Sequence, residues 1–390
     1  MPDPVIMPID NLATGAGFTA TIQIGPGQAP LKMLLDTGSS TFAVSRKAYD
    51  PGTNPPGTTN LLQTAQYPSG SLLGAVIRTG IVMPGTSPAA TITLPDSYLA
   101  VTYDVRPDNF GGADGIIGLA YAPLQNAYTM PLDTWQNRYD SSQTGLGTTA
   151  SVPTLFDQLA AENLASNKFA FLVQRSLRTL ASDNPSTDPI NSGIFVAGGG
   201  AERTDLFSSE ISSIAIVSDK YYNTNLLSIQ VGNKDIIPVP PQSGTVASNS
   251  MVDSGVSAIL LDQTIFDKVR ASFAQVDATF DAILVNNAWN GSNSVDQTTI
   301  DLDAWPTVTL TLQGTNGAAV PLEIASKDYW QFDAYTKGQA VSVLCGDHGS
   351  LTGQSQLGLP LFCGRYFVFD RTAGPGQGVI QFAARVSAMV

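Results

Sequence analysis

Histidine and cysteine are scarce in this chain, which has one histidine and two cysteines among its 390 residues. A Ser-His-Asp or Cys-His catalytic arrangement would have to use His348, which lies in a polar segment typical of a loop. No Gly-x-Ser-x-Gly turn accompanies it, and the chain has no His-Glu-x-x-His run and no Cys/His cluster for zinc. The sequence therefore argues against these nucleophilic and zinc-dependent hydrolases.

Positive charge and long apolar runs are scarce as well. The chain has 19 basic and 32 acidic residues, a net charge of −13, which argues against a nucleic-acid partner. No apolar run approaches the roughly 20 residues that span a bilayer, and the start lacks the basic and apolar regions of a signal peptide. We expect no membrane partner and a secreted or extracytoplasmic mature form, although an acidic composition also suits intracellular proteins.

The two cysteines, Cys345 and Cys363, are 18 positions apart in the second half of the chain. A disulfide between them would close a loop and contribute about 3 kcal/mol in the chain-entropy model. The alternative is two unrelated small core residues. The sequence favours the disulfide.

Carboxylates, in contrast, occur in a repeated pattern. Asp36-Thr37-Gly38 follows the apolar run Met33-Leu34-Leu35, and Asp253-Ser254-Gly255 follows Met251-Val252. Each aspartate is therefore predicted at the end of a buried strand. A charged carboxylate is costly there, so it is expected only where it has a hydrogen-bonding partner or a chemical function. Two such carboxylates, brought together by two similar halves of the chain, would share one proton and perform acid-base chemistry.

A second repeated feature supports two related halves. Ile116-Ile117-Gly118-Leu119 follows the first triplet, and Leu357-Gly358-Leu359 follows the second. In each half the apolar segment is predicted to pass beside the Asp turn, with its glycine allowing the backbones to approach. A single triplet would indicate an ordinary turn. Two triplets with matching flanks and matching partners favour a diverged duplication.

Length and periodicity indicate a mainly β protein. A chain of 390 residues suits two lobes, which we place at residues 1–195, with Asp36, and 196–390, with Asp253. Apolar residues alternate with polar ones over 18–24 and 308–312, as in half-buried strands. Helical spacing is clearest over 152–159 and over 265–273, the latter behind a predicted cap at Asp262.

Similarity to a known family covers nearly the whole chain. It rests on Leu35-Asp36-Thr37-Gly38-Ser39-Ser40, Tyr67-Pro68-Ser69-Gly70-Ser71, Asp114–Tyr121, Pro153–Asp157, Phe169–Leu172 and Tyr366–Arg371. In order and spacing these segments resemble those of pepsin-like aspartic proteases. The resemblance implies a bilobal pepsin-like acid protease fold, mainly β, with two related β-barrel-like lobes and an interlobe cleft.

The resemblance also implies an activity. Asp36 and Asp253 would activate a water that attacks a peptide bond between bulky apolar residues. Support for the dyad would come from Thr37, Gly38, Ser39, Ser254 and Gly255. Substrate would be bound by Tyr67, Ser69, Gly70, Ser71, Phe110, Ile117, Val256 and Ser257. The substrate would be an extended peptide or protein, the protein a monomer, and no metal or organic cofactor would be needed.

Two positions depart from the family pattern. The family usually has Thr or Ser after the second triplet, where a hydroxyl donates to the outer carboxylate oxygen, and this chain has Val256. The family also usually has a Trp seven residues after the first Asp, where it contacts the flap Tyr, and this chain has Ala43. These departures keep open an alternative: a homologue of the same fold that binds a peptide-like ligand or performs a non-proteolytic acid-base reaction on a small molecule.

Overall fold

A computed structural model describes residues 2–25, 27, 29–50, 57–67, 70–87, 90–105, 110–129, 147–242, 246–286, 293–347, 353–374 and 376–386. The fold is mainly β, as predicted. The chain groups into two compact units, each described by itself below. Unit 1 comprises Met1–Thr14, Phe18–Phe169 and Ile194–Gly199, and unit 2 comprises Gly15–Gly17, Ala170–Gly193 and Gly200–Val390. The lobe boundary between residues 195 and 196 stays a prediction.

Unit 1 contains one large sheet. Its strands are β1 (Val5–Asp10), β2 (Thr19–Ile24), β3 (Pro30–Asp36), β4 (Phe42–Ser45), β5 (Thr58–Tyr67), β6 (Gly70–Pro84), β7 (Thr91–Val105), β8 (Gly115–Gly118), β9 (Asn126–Thr129) and β10 (Thr149–Ala150). They follow the order β10-β9-β5-β6-β7-β4-β8-β3-β2-β1. Strand β2 also pairs with β6, which closes part of the sheet into a barrel. Two further strands, β11 (Lys168–Val173) and β12 (Ser192–Ala197), contain residues of both units.

Unit 2 contains several smaller sheets. Its strands are β13 (Ser212–Ala215), β14 (Asn223–Thr224), β15 (Leu226–Val231), β16 (Ile237–Pro238), β17 (Ser250–Val252), β18 (Ile259–Leu261), β19 (Val295–Asp296), β20 (Val308–Gln313), β21 (Ala319–Ile324), β22 (Trp330–Phe332), β23 (Gln339–Ser342), β24 (Leu344–Gly346), β25 (Ser355–Leu357), β26 (Arg365–Asp370) and β27 (Val379–Ala384). Three of the sheets have the orders β14-β17-β25-β18-β24, β16-β15-β20-β21 and β19-β23-β22, while β26 and β13 both pair with β27.

The predicted alternation is present in both units. In β2 the side chains of Ala20, Ile22 and Ile24 are buried while Gln23 is exposed. In β20 the buried residues are Val308, Leu310 and Leu312. Because successive strand residues point to opposite faces, this spacing gives each sheet one apolar face.

Few helices accompany the sheets. The α-helices are α1 (Leu155–Ala161), α2 (Gln263–Val276), α3 (Phe280–Asn286) and α4 (Ser326–Tyr329). Short 3₁₀ turns are Ala122–Leu124, Pro185–Thr187, Pro189–Asn191, Gln297–Thr299 and Leu359–Leu361. As predicted, Asp262 caps α2 by accepting a hydrogen bond from the Thr264 amide at 3.0 Å. Within the described part of the chain, no helix combines the length and apolar character of a membrane crossing.

The two units repeat one strand arrangement. In unit 1, β3 runs parallel to β8, while β4 pairs antiparallel with β8 and parallel with β7. In unit 2, β17 runs parallel to β25, while β18 pairs antiparallel with β25 and parallel with β24. The strands β3 and β17 are the ones that lead into the two Asp triplets. This shared topology supports the diverged duplication inferred from the triplets.

The disulfide prediction is wrong in this structure. Cys345 and Cys363 are both buried and are not joined. Cys345 lies in β24, whereas Cys363 follows the last 3₁₀ turn, and its thiol donates to the Leu359 carbonyl at 3.4 Å. Apolar packing explains both positions, which was the alternative that the sequence left open.

Candidate active site

The first Asp triplet forms a tight turn at the end of β3. Asp36 is the last residue of that strand and is only 6% exposed. The Gly38 amide donates to Asp36 Oδ1 at 2.8 Å, and the Ser39 hydroxyl donates to Asp36 Oδ2 at 2.5 Å. Both carboxylate oxygens thus accept hydrogen bonds from the turn that follows, which fixes the orientation of the carboxylate.

Strand β8 passes directly beside this turn. Asp36 pairs with Gly118 in the parallel ladder, and the Gly118 amide donates to the Thr41 carbonyl at 2.9 Å. A Cβ atom on Gly118 would lie 2.3 Å from the Thr41 nitrogen and 2.4 Å from the Ser40 carbonyl carbon. Only glycine permits this approach, as the sequence predicted.

The second Asp triplet forms the equivalent turn in unit 2. Asp253 follows β17, is 6% exposed, and accepts a hydrogen bond at Oδ1 from the Gly255 amide at 2.9 Å. The Gly358 amide donates to the Ala258 carbonyl at 3.1 Å. A Cβ atom on Gly358 would lie 2.2 Å from the Val256 carbonyl oxygen. Each aspartate therefore has a glycine amide two residues on and a close glycine on a neighbouring strand.

The two turns differ at the third residue after the aspartate. Ser39 supplies a hydroxyl in unit 1, while the corresponding Val256 in unit 2 is half-buried and has no hydroxyl to donate. The next residue, Ser257, is buried. The departure read from the sequence therefore lies in the turn that follows Asp253, where the Val256 amide donates to the Asp253 carbonyl at 3.3 Å.

Comparison with known proteins agrees with this geometry. A family model described as eukaryotic aspartyl protease matches residues 17–373. The chain belongs to that family. It is 25% identical over 334 residues to a vacuolar aspartic protease of Candida albicans, an alignment that covers 81% of this chain and 65% of that protein. It is 23% identical over 384 residues to a beta-secretase of Strongylocentrotus purpuratus, covering 92% and 65%. The chain thus spans 65% of the length of both relatives.

The segment that resembles the flap of this family, Tyr67–Ser71, lies at the end of the hairpin formed by β5 and β6. The two strands pair from Thr58 with Ile77 to Tyr67 with Gly70. Pro68 and Ser69 lie outside the described residues, and of Tyr67 and Gly70 the structure describes the backbone alone. Ser71 is exposed. The hairpin predicted from the sequence is present, and the contacts of Tyr67 with substrate stay a prediction.

Ala43 stands where the family usually has a Trp beside the flap. It is fully buried in β4, in a cluster with Leu72, Ala100, Phe110 and Ile116. Leu72 belongs to the flap strand β6, so an apolar contact joins the hairpin to the strand after the catalytic turn. The chain replaces one large aromatic side chain by several smaller contacts.

Phe110 and Ile117, both predicted to line a substrate pocket, occupy different places. Phe110 is 4% exposed and packs in the cluster with Ala43. Ile117 is 0% exposed in β8, between Leu35 of β3 and Phe42 of β4. Because neighbouring strand residues face opposite sides, Ile116 rather than Ile117 shares a cluster with Phe110. Ile117 is part of the core of unit 1.

Sequence reasoning missed a polar link between strand β5 and the residues that follow the first Asp triplet. Gln63 in β5 is 1% exposed, and its amide donates to Gln125 Oε1 at 2.8 Å and to Thr41 Oγ1 at 3.4 Å. The Gln125 amide donates in turn to the Ser40 carbonyl at 3.0 Å. The sequence offered no clear signal, because β5 is rich in polar residues and nothing in it marks Gln63 as the buried amide that needs partners.

Metal ligation is not supported by the side chains that the structure describes. Within those ranges, His, Cys, Asp and Glu do not gather in groups of three or more that could hold a metal ion. His348 lies outside the described residues.

Proposed function

We propose that this chain is an aspartic endopeptidase in which Asp36 and Asp253 form the catalytic dyad. The strongest support is that the same local arrangement surrounds both aspartates. Each aspartate is buried after a core strand, and each has Oδ1 bound by the amide two residues on. Family membership implies a peptide substrate, and the two equivalent carboxylates supply the acid-base pair that peptide hydrolysis needs.

The chemistry requires one proton shared by two carboxyl groups. Two close carboxylates do not both ionise, so at acid pH one is charged and the other protonated. The charged group removes a proton from water as the hydroxide attacks the peptide carbonyl carbon. The protonated group gives its proton to the carbonyl oxygen, which forms a tetrahedral diol. Transfer of a proton to the amide nitrogen then breaks the C–N bond without a covalent enzyme intermediate.

The neighbouring residues would hold the carboxylates in position. Gly38 and Gly255 supply the amide donors, and Ser39 supplies a second donor to Asp36. Thr37 and Ser254, which are 0% and 1% exposed, would brace the two turns. Donors held in fixed positions stabilise the ionised form of a carboxylate. They also reduce the rearrangement of surrounding polar groups that proton transfer requires.

Substrate would bind in an extended conformation, with bulky apolar side chains on both sides of the cleaved bond. The flap residues Tyr67, Ser69, Gly70 and Ser71 would close over it. The walls around these side chains would come from Phe110, Ile117, Val256 and Ser257, of which Val256 is half-buried and the other three are buried.

Digestion of denatured globin between pH 2 and 7, with and without a statine-type inhibitor, tests this proposal. We expect inhibitor-sensitive cleavage in acid, and mass spectrometry of the products should show bulky apolar residues at the cleaved bonds. Cleavage that the inhibitor does not affect would assign the activity to other groups. Binding of the inhibitor without any cleavage would favour the altered homologue, a candidate that Val256 and Ala43 support.

The Val256 position gives a sharper prediction. In Val256→Thr the new hydroxyl can donate to the Asp253 carboxylate as Ser39 donates to Asp36. A hydrogen bond to a charged group contributes about 1.5–3 kcal/mol, so the acidic limb of the pH–rate profile should move down by about one pH unit. Hydrolysis at low pH should rise. The swap is close in shape, although a hydroxyl without a partner would cost desolvation.

Two variants control this experiment. Val256→Ala removes both γ-methyl groups without adding a donor and should leave the acidic limb in place. Ser39→Ala removes the existing donor and should move the acidic limb up. An acidic limb that stays unchanged in Val256→Thr would show that the residue 256 side chain does not support the carboxylate.

We further propose a monomer with lobes at 1–195 and 196–390, acting outside the cytoplasm. The net charge of −13 supports an acidic working compartment, because an acidic surface loses self-repulsion as the pH falls. The Candida albicans relative is named as vacuolar.

A further inference from the structure

Unit 2 contains a cavity that the proposed proteolysis does not use. Its volume is about 630 Å³, and its walls come from residues between Gln174 and Arg385. None of them belongs to the Asp253 turn or to β25. Sites for small molecules commonly measure about 300–1,000 Å³, so this cavity is large enough for an organic ligand.

The charge of the cavity is opposite to that of the protein. Four cationic side chains line it, Arg175, Lys327, Arg365 and Arg385, against two acidic ones, Glu210 and Asp328. The chain as a whole carries a net charge of −13. Cations gathered in a concave, partly dry site raise the local concentration of anions.

Unsatisfied donors point to the same class of ligand. Trp330 lines the cavity, is 1% exposed, and its buried Nε1 has no hydrogen-bond partner in the structure. The same holds for Nη1 of Arg385. Among the described lining residues, these two are the buried side-chain polar atoms without a partner, and both are donors. A buried donor without an acceptor is costly, and an anionic acceptor would satisfy it.

The buried cations are held in place by backbone carbonyls. Arg175 is 8% exposed and donates from Nε to the Leu177 carbonyl at 2.5 Å and from Nη2 to the Phe332 carbonyl at 2.9 Å. Arg365 donates from Nη1 to the carbonyls of Leu361 and Cys363 at 3.2 and 3.0 Å. Neutral carbonyl partners orient these guanidinium groups without cancelling their charge.

Another part of the wall is apolar, beside the polar side chains of Gln174, Ser209, Ser212 and Gln331. Trp330, Phe332, Phe382, Leu302 and Ile190 line the same cavity. A small hydrated inorganic anion would leave this surface uncovered, whereas an anion with an apolar group would cover it and gain the free energy of burial.

We propose that this cavity binds a small organic anion, namely a carboxylate that carries one aromatic or aliphatic group. The carboxylate would lie near the cationic side chains. The apolar group would pack against the aromatic wall.

Two titratable groups in the wall, Asp328 and Cys363, do not oppose this assignment. Burial raises the pKa of Asp328, because desolvation disfavours its charged form, so acid conditions reduce its negative charge. Burial likewise raises the pKa of the Cys363 thiol, which stays neutral. Arg175 stays protonated in acid and at neutral pH, although burial lowers its pKa to about 10.

Binding can be measured through the tryptophan indole signals, since the chain has four tryptophans. The ¹⁵N-labelled full chain, with a statine-type inhibitor bound, is titrated with 3-phenylpropionate and, separately, with the neutral 3-phenylpropanamide. Trp330→Phe, or backbone assignment if that variant does not fold, identifies the Trp330 signal. We expect a saturable shift of that signal with the carboxylate and little shift with the amide.

Two exposed lining residues carry opposite charges, so their substitution should change the binding affinity in opposite directions. Lys327→Gln removes an attractive charge and should weaken binding up to about tenfold, while Glu210→Gln removes a repulsive one and should strengthen it. Lys220→Gln, away from the cavity, should change nothing. The proposal would be overturned by the absence of saturation up to about 10 mM. An equal response to the amide, or affinities that Lys327→Gln and Glu210→Gln leave unchanged, would overturn it as well.

Discussion

Asp36→Asn is expected to lower kcat/KM for peptide hydrolysis by about 10³-fold or more, and Asp253→Asn by a similar factor. An amide cannot exchange the proton that the mechanism moves, and positioned acid-base groups contribute up to about 10⁴-fold. The fold should persist, because asparagine keeps the shape of aspartate and its Oδ1 can still accept from Gly38 or Gly255. Steady-state kinetics with an acid-soluble peptide, together with thermal unfolding, measure both effects.

The double variant distinguishes a dyad from two independent sites. If the two carboxyl groups act as one unit, Asp36→Asn combined with Asp253→Asn should be little worse than either single change. Asp183→Asn is the matched control, because that carboxylate is fully exposed and forms a surface ion pair with Lys337. Near-normal turnover in either active-site variant would assign the reaction to other residues.

Gly358→Ala is expected to destabilise unit 2 by about 3 kcal/mol or more, and Gly118→Ala to do the same in unit 1. The added methyl group would lie 2.2 Å from the Val256 carbonyl oxygen in the first case and 2.3 Å from the Thr41 nitrogen in the second. Overpacking a core commonly costs about 1–3 kcal/mol, and these contacts are with backbone that cannot rotate away. Denaturant unfolding measures the loss.

Gly80→Ala controls this experiment. Gly80 also lies in a strand, but a Cβ there would meet its nearest atom, the Pro95 carbonyl oxygen, at an ordinary 3.5 Å. Its effect should stay within about 1 kcal/mol, the usual difference between glycine and alanine. If Gly118→Ala and Gly358→Ala were as mild as Gly80→Ala, the close approach of strand and Asp turn would not be rigid.

The sequence predicted those features that depend on residues close together in the chain. The Asp triplets, their apolar flanks and the downstream glycines each lie within a few residues, and their repetition indicated the paired topology. The cap at Asp262 was readable for the same reason, because its hydrogen bond reaches only to Thr264.

Features that depend on distant contacts were not predictable. Gln63 meets Gln125 across 62 residues, and the cavity of unit 2 draws its walls from segments between Gln174 and Arg385. The spacing of Cys345 and Cys363 suits a disulfide as well as two packed thiols, and strand placement decided between them. The assignment of Ile117 to the pocket stays a prediction, because sequence does not tell which face of a short buried strand meets substrate.

A crystal structure with a statine-type inhibitor tests the central claim most directly. The quantity to measure is the separation between the carboxylate oxygens of Asp36 and Asp253. The dyad predicts that the inhibitor hydroxyl lies within about 3.2 Å of both carboxylates, in the place of the attacking water. Carboxylate oxygens more than about 5 Å apart, too far to share a proton or one water, would contradict the proposed mechanism.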